Sequence, residues 1–303
     1  RLAAAGVIRS EFLFLAVRAI RPHSTVKAGE YRFKEPATPW AVFDRMARGD
    51  VYLISITVPE GRNMFDIADH LDSLKVVSRE DFLAAARDPS LIRDLAPEAP
   101  SLEGYLFPDT YRFPRRITAA DLTKMMTDRF RVVWKSLGAT QSDVHRVVTL
   151  ASLVETEARL PEERPLVASV FANRLRAGMP LQADPTTVYA ALLENRYRGR
   201  IFASDLANPH PYNTYRRPGL PPGPVANPGV SSLKAALEPA DTKYLYFVAR
   251  ADGSGGHRFS EDLAEHVSAV RKYRRAVAEA ERNEQTGAAR RVDTGAAAGA
   301  NRH

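Results

Sequence analysis

The stretch Val144–Ala158, VHRVVTLASLVETEA, reads as a largely apolar helix with two glutamates near its end. At about 100° per residue on a helix, Glu155 falls on the apolar stripe that contains Val148, whereas Glu157 lies on nearly the opposite side. Burial among apolar side chains raises the pKa of a carboxyl group, which suits a general acid that works near neutral pH. The same spacing fits a structural alternative equally well, in which Glu155 is a buried acid paired with an arginine.

Helices and short strands flank this segment on both sides. The amino-terminal part contains a strand at Val51–Val58, rich in β-branched residues, and a helix at Met64–Leu74. Capping residues and periodicity place further helices at about 118–137, 142–158, 161–178 and 260–281, and a buried strand at 244–249. The pattern predicts an α+β fold with a small α/β region over residues 1–100, a larger mixed helical and strand domain over 101–281, and a disordered tail over 282–303.

Two loop segments carry unusual composition. The segment Leu102–Phe113, LEGYLFPDTYRF, is too aromatic for a linker and too broken by proline for a helix, so we expect it to pack against the rest of the molecule. The segment Leu206–Gly229 is long and rich in proline and glycine. A loop of this length inside a compact domain is usually functional or disordered, and its tyrosines argue against disorder.

Composition narrows the chemistry. The chain has 303 residues with Lys+Arg 43 and Asp+Glu 36, a net charge of +7 that favours anionic partners. Cysteine is absent, which excludes thiol nucleophiles, thiolate metal sites and disulfides. The seven histidines show no metal-ligand spacing, and no phosphate-binding glycine loop, nucleophile elbow or nucleic-acid-reading motif is present. The sequence therefore predicts carboxylate chemistry without a metal or a cofactor.

Several polar residues downstream fit either a structural or a functional role. Asp184 precedes a proline, so helix capping is its default interpretation. Asn213 fits a turn as well as a ligand role, and Tyr212 and Tyr215 are either core aromatics or platforms for sugar rings. Gln182 has less structural reason for its position. Arginines of this part are ordinarily solvated, although as a cluster they could face an anionic polymer: Arg174, Arg216 and Arg217.

Five motifs, in this order along the chain, resemble the endolytic murein transglycosylases of the bacterial cell envelope. The resemblance covers roughly Val51 to Arg274. The motifs are LEGYLFPDTYRF, ASLVETEA, VASVFANRLRAGMPLQADPTTVYA, YNTYRRPGLPPGPVANPGVSSLKAAL and YLYFVARADGSGGHRFSEDLAEH. The resemblance implies that Glu155 is the catalytic acid. It also implies substrate-binding roles for residues within the matching motifs: Asn173, Gln182, Tyr212, Asn213 and Tyr215.

The activity implied by this resemblance is a lytic transglycosylation. A protonated Glu155 would donate to the oxygen of the β-1,4 bond between N-acetylmuramic acid and N-acetylglucosamine. The resulting carboxylate would then accept the proton of the muramoyl C6 hydroxyl as that oxygen closes a 1,6-anhydro ring. The substrate supplies the nucleophile, so neither water nor a cofactor is consumed. A hydrolase with ordinary reducing-end products is the nearest enzymatic alternative, and a non-catalytic peptidoglycan-binding scaffold is an alternative from a different class.

The resemblance also implies a cellular setting. The expected partners are peptidoglycan glycan strands and peptidoglycan synthases, with nucleic acid the weakest option. A LysM-like region is expected over about residues 25–100, resting mainly on ITVPEGRNMFDIADHL. The chain begins at Arg1 rather than Met, so we expect a membrane anchor upstream that holds the catalytic domain on the periplasmic or extracytoplasmic side of the inner membrane. Such an enzyme would be expected to terminate the elongation of nascent strands.

Overall fold

A computed structural model describes the backbone of residues 2–139 and 143–299, and the side chains of 2–139, 143–280 and 282. Helices predominate over short strands in this part of the chain, and the predicted α+β class is confirmed. The elements are α1 Glu11–Ile20, α2 Pro39–Arg48, β1 Leu53–Thr57, α3 Met64–Ser73, α4 Arg79–Arg87, β2 Thr110–Pro114, α5 Ala119–Ser136, α6 Val144–Glu157, α7 Arg164–Arg176, α8 Asp184–Leu193, α9 Ala203–Ala207, α10 Val230–Leu237, β3 Tyr246–Ala249, β4 His257–Ser260 and α11 Leu263–Gly299.

Helix starts agree with the capping signals in the sequence. Asn63 accepts hydrogen bonds from the first backbone amides of α3, and Ser78 and Thr118 do the same for α4 and α5. Helix α11 passes the expected end near Glu281 and its backbone covers most of the segment 282–303 that the sequence predicts to be disordered. Residues 300–303 of that predicted tail lie outside the described residues.

Strand β1 precedes α3 and α4 in the chain, and β2 follows them. The two strands form an antiparallel pair. Leu53 pairs with Pro114 and Thr57 pairs with Thr110. Strand β2 was not predicted from the sequence. Its side chains are buried in alternation, with Tyr111 inside, but the strand lies between prolines that indicate a loop. The pair spans the predicted boundary at residue 100, and buried residues from both sides of that boundary belong to one hydrophobic core. The LysM-like region expected over about residues 25–100 and the expected domain boundaries stay predictions.

Helix α6 is the central element of the core. It packs against α7, α8 and α10, and every residue from Val148 to Val154 is buried. A helix enclosed for two turns has no solvent-facing side there, so the position of a residue on the helical wheel does not distinguish a core face from an exposed face. The apolar stripe predicted for Glu155 is therefore one side of a fully surrounded helix.

The carboxyl-terminal half closes around α6 and α7. Strands β3 and β4 form an antiparallel hairpin that packs against α7 and α11. Sequence analysis found β3 and missed the four-residue β4. The segment Leu102–Phe113, which was expected to pack, does so, since residues 101–108, Tyr111 and Phe113 are buried. About half of the residues in the loop after α9 are buried as well. Within the described residues, no helix combines the length and apolar character that crossing a bilayer requires.

Candidate active site

Two neighbouring cavities share Glu157 and Asp184 as lining residues. The first, of about 260 Å³, also contains Arg174 and His266, and we call it the cationic cavity. The second, of about 330 Å³, is lined otherwise by uncharged residues such as Val188, and we call it the neutral cavity. The two carboxyl groups therefore lie where the cavities meet, with space on either side of them.

Glu157 is the last residue of α6, at the end of the enclosed helix. Its position lets the backbone remain in the core while the side chain lines both cavities. Burial raises the pKa of Glu157 to about 7, and the negative charge of Asp184 acts in the same direction. A carboxyl group with this pKa is present both as acid and as base near neutral pH, as an acid–base catalyst requires.

Asp184 is the first residue of α8. The capping interpretation is wrong, because Ala183 occupies the N-cap position and no side-chain capping bond is formed. Asp184 instead accepts a 2.6 Å hydrogen bond from the Tyr215 hydroxyl. Burial, followed by this bond to Asp184, raises the pKa of Tyr215, so the hydroxyl stays protonated and donates. The side chain of Asp184 is solvent-exposed and thus accessible to a ligand.

Gln182 lies beside Asp184 in the cationic cavity. Its backbone has φ of 52°, in the left-handed region that few non-glycine residues adopt. A hydrogen bond from its amide to the Thr214 carbonyl, of 3.2 Å, holds the turn in place. The structure thus brings two of the predicted binding residues, Gln182 and Tyr215, together with Glu157 and Asp184.

Glu155 has a different environment from the one predicted. Its side chain is 5% exposed and forms a 2.9 Å ion pair with Arg164. Its second oxygen accepts a 2.9 Å hydrogen bond from the Gly229 amide. The expected apolar surroundings are wrong, and the structural alternative of a buried acid paired with an arginine describes Glu155. The residue lies behind Gly61, a wall residue of the neutral cavity.

A third cavity, of about 350 Å³ beside α3, is a weaker candidate for a reaction centre. It contains two carboxylates, but both have partners. Asp66 accepts a hydrogen bond from the backbone amide of Asn63, and Asp69 pairs with Arg79 at 2.7 Å. The acids at the junction of the other two cavities are therefore the better candidates.

Comparison with known proteins agrees with the fold. The model of the YceG-like family matches residues 1–272. The chain belongs to this family. An endolytic murein transglycosylase of Bacillus subtilis strain 168 is 37% identical over 287 residues, which cover 88% of this chain and 78% of the relative. An endolytic murein transglycosylase of Streptococcus pneumoniae strain R6 is 28% identical, and the match covers 87% of this chain. It covers 55% of that relative, so the chain spans about half of its length.

A solved structure of the YceG-like family has the same fold. The 2.6 Å crystal structure of a YceG-like protein from Listeria monocytogenes superposes with a TM-score of 0.62 at 32% sequence identity. The match covers 88% of this chain and 93% of that chain. The resemblance inferred from the five sequence motifs is thereby confirmed at the level of the family.

Three of the predicted binding residues of this YceG-like chain lie in its interior. Tyr212 is buried and packs against Tyr189, with ring centroids 5.1 Å apart. The Asn213 amide donates to the carbonyls of Asp205, Leu206 and Asn208. The Asn173 amide donates to the carbonyls of Thr242 and Tyr244, and its oxygen accepts from Arg176. The side-chain amides of Asn173 and Asn213 therefore have their hydrogen-bond partners within the fold.

Sequence reasoning missed Glu157 as a candidate acid, Asp184 as its neighbour and the lining residue His266, and it named Arg174 only as one of several arginines that could face an anionic polymer. Glu157 stands in the same family motif as Glu155, two residues away, and only the contacts made in the folded chain separate their roles. Arg174 ends a predicted helix, where a basic residue is expected for the helix dipole alone. His266 is far away in sequence, at the end of the fifth family motif, and nothing in its neighbouring residues indicates a role in the site.

Proposed function

We propose that this chain is an endolytic lytic transglycosylase of peptidoglycan. The reaction breaks the β-1,4 bond between N-acetylmuramic acid and N-acetylglucosamine within a glycan strand and leaves a 1,6-anhydromuramoyl end. The observation that carries the proposal is the position of Glu157, a carboxyl group with a pKa of about 7 at the junction of two cavities. A strand that fills both cavities presents an internal bond to this group.

Glu157 acts first as an acid and then as a base. In its protonated form it donates to the glycosidic oxygen, and the bond from that oxygen to C1 of the muramoyl ring breaks. The carboxylate that remains accepts the proton of the C6 hydroxyl as O6 bonds to C1. The proton balance of Glu157 closes within one turnover, and no water enters. A second catalytic carboxylate, which hydrolytic glycosidases commonly need, is unnecessary because the substrate carries its own nucleophile.

Asp184 supports the charge that develops on the sugar. The ring approaches an oxocarbenium ion as the bond breaks, and a fixed negative charge nearby stabilises that state. The hydrogen bond from Tyr215 holds the Asp184 carboxylate in one orientation. The same charge favours the protonated form of Glu157 before the reaction begins.

The choice of Glu157 over Glu155 rests on their contacts. Both oxygens of Glu155 already have partners in the fold, a guanidinium on one and a backbone amide on the other. Glu157 has no such partner among the described residues and faces the space that a ligand would enter. In this proposal Glu155 is not the catalytic acid that the sequence predicts. It stabilises the wall of the neutral cavity through its bonds to Arg164 and Gly229.

Matched variants test the reaction and the assignment together. The wild type, Glu157→Gln and Glu155→Gln are incubated with uncrosslinked glycan strands, and the new ends are analysed by mass spectrometry. We expect ends that lack one water in the wild type, a loss of about a thousandfold or more in Glu157→Gln, and partial activity in a folded Glu155→Gln. Ordinary reducing ends would indicate a hydrolase. Activity that survives in Glu157→Gln and disappears in a folded Glu155→Gln would reverse the assignment.

The proposal extends to the cellular role of the enzyme. An endolytic enzyme that acts on new strands would terminate their elongation, next to the synthases that make them and on the extracytoplasmic side of the inner membrane. A membrane anchor and a LysM-like glycan-binding region belong to the same proposal. Strand binding without any cleavage after long incubation of the wild type would select the scaffold alternative instead.

A further inference from the structure

The two cavities share the carboxyl groups of Glu157 and Asp184, and only one of them also contains a guanidinium, although a glycan strand is to cross both. Arg174 and His266 line the cationic cavity, together with the aromatic rings of Phe171 and Phe247. The neutral cavity has no basic residue among its described lining residues. Peptidoglycan strands alternate in the same respect. Muramoyl residues carry a lactyl acid at O3, which is a free carboxylate in peptide-stripped strands, whereas glucosamine residues carry only hydroxyl and acetamido groups.

Arg174 is held as a fixed cation. Its Nε donates to the Leu245 carbonyl at 2.7 Å, and its Nη1 donates to the Leu181 carbonyl at 2.9 Å and to that of Pro180 at 3.2 Å. The guanidinium carbon lies 5.1 Å from the centroid of the Tyr246 ring. Nη2 makes no hydrogen bond within the part of the chain that the structure describes. A preorganised guanidinium with a free nitrogen binds a carboxylate at little entropic cost.

His266 extends the same wall. Its ring stacks on that of Tyr246 at a centroid distance of 5.0 Å. Burial, followed by the positive charge of Arg174, lowers the pKa of His266, so the ring is neutral at neutral pH. Its Nδ1 is buried and lacks a hydrogen-bond partner in the described part of the chain. Buried polar atoms are rarely left in this state unless a ligand or a water completes them.

From this difference, and on the basis of the proposed function, we infer that the cationic cavity binds the muramoyl residue and that Arg174 pairs with the acyl oxygens of its lactyl group. The neutral cavity then receives the N-acetylglucosamine on the other side of the scissile bond. The strand consequently binds in one direction, and the anhydro ring closes in the cationic cavity. Arg174 is in this view a specificity-determining residue that distinguishes muramoyl strands from polymers of glucosamine alone.

The affinity of strands with and without lactyl groups tests the inference. Binding is measured by calorimetry in the Glu157→Gln background, which should hold strands uncut, with peptide-stripped glycan strands and chitin oligomers of equal length. We expect Arg174→Gln to weaken the binding of stripped strands by about tenfold or more and to leave chitin binding unchanged. Arg174→Lys keeps the charge without the planar geometry and should fall between the two.

An exposed arginine provides the matched control. Arg216 lies close to Tyr215 in sequence, is solvent-exposed and lines neither cavity. Arg216→Gln removes the same charge and should leave both affinities unchanged. Equal losses for both ligands in Arg174→Gln and in Arg174→Lys, or the same effect in Arg216→Gln, would overturn the inference. If the wild-type protein still produced anhydro ends under those outcomes, the proposed function would stand. A wild-type protein that produced no such ends would contradict the function itself.

Discussion

At the scale of single residues, the proposed mechanism makes the protonation of Glu157 set the pH dependence of the reaction. The acid form must be present at the start, and the pKa of Glu157 is about 7. We therefore expect kcat/KM to fall as the pH rises through about 7. In Asp184→Asn the neighbouring negative charge is lost, so the pKa of Glu157 falls and the decline begins at lower pH. The measurement is a pH–rate profile of both proteins on the same strands.

The control for this prediction is Glu162→Gln. Glu162 is an exposed glutamate between α6 and α7 that lines neither cavity. Its profile should coincide with that of the wild type. An unchanged alkaline limb in Asp184→Asn would show that the charge of Asp184 does not act on the catalytic acid.

The Glu155–Glu157 pair also shows which part of the site the sequence can predict. The family motif and the carboxyl chemistry are visible in the residues themselves. The choice between the two glutamates is not, because it depends on Arg164 and Gly229, which contact Glu155 only in the folded chain. Tyr212 and Asn213 illustrate the converse, since residues in matching motifs can serve the fold and not the ligand.

At the scale of elements, the packing of α6 requires a glycine from a neighbouring loop. Gly104 has φ of 86°, and an added Cβ would lie 2.4 Å from Cγ of Pro224 and 2.8 Å from Cγ1 of Val148 on α6. We expect Gly104→Ala to lower the free energy of unfolding by about 2–4 kcal/mol, through overpacking and left-handed backbone strain together. Denaturant titration of the variant measures the loss.

A second glycine separates the two causes. Gly178 follows α7 with φ of 65° and has open space where a Cβ would be. Gly178→Ala should cost only the backbone strain, about 1 kcal/mol. Equal losses in the two variants would mean that contact with α6 contributes nothing at Gly104.

Element prediction succeeded where local chemistry decides and failed where pairing does. The caps at Asn63, Ser78 and Thr118 locate helix starts because each satisfies the backbone amides of its own first turn. Strands β2 and β4 are short and acquire their hydrogen bonds from β1 and β3, so their own residues carry little signal. Helix α6 was found, but its enclosure depends on α7, α8 and α10.

At the scale of the whole molecule, Glu103 joins segments that are distant in sequence. Its carboxyl oxygens accept hydrogen bonds from the amide of Met64 at the start of α3 and from the side chain of Asn227, at 2.8 and 2.7 Å. Tyr189 on α8 provides a further side-chain hydrogen bond. Burial raises the pKa of Glu103 to about 8. The folded protein therefore keeps a proton on this group that the unfolded chain releases above pH 4.5.

This linkage predicts a stability that declines with pH. The contribution of Glu103 to stability is full below about pH 4.5 and is lost as the pH rises toward 8. Over this range the unfolded chain has released the proton, whereas the folded protein still holds it, so each rise in pH favours the unfolded state. We expect the Tm of the wild type to fall between pH 5 and 8. Glu103→Gln should flatten this fall in part, since Glu157 contributes with the same sign.

Thermal unfolding at several pH values checks this expectation. Glu98→Gln, at an exposed position in the same loop region, is the control and should keep the wild-type slope. A slope in Glu103→Gln as steep as in the wild type would show that Glu103 does not couple protons to folding.

The walls of the two cavities come from widely separated parts of the chain, from Gly61 after β1 to His266 on α11. Local opening of any one of these segments removes a wall and with it the substrate site. Cutting activity consequently reports the completeness of folding, and a partly folded chain is harmless to the polymer around it. For an enzyme that breaks the strands of the cell wall, this topology means that a chain cannot cut strands until all of these segments have folded.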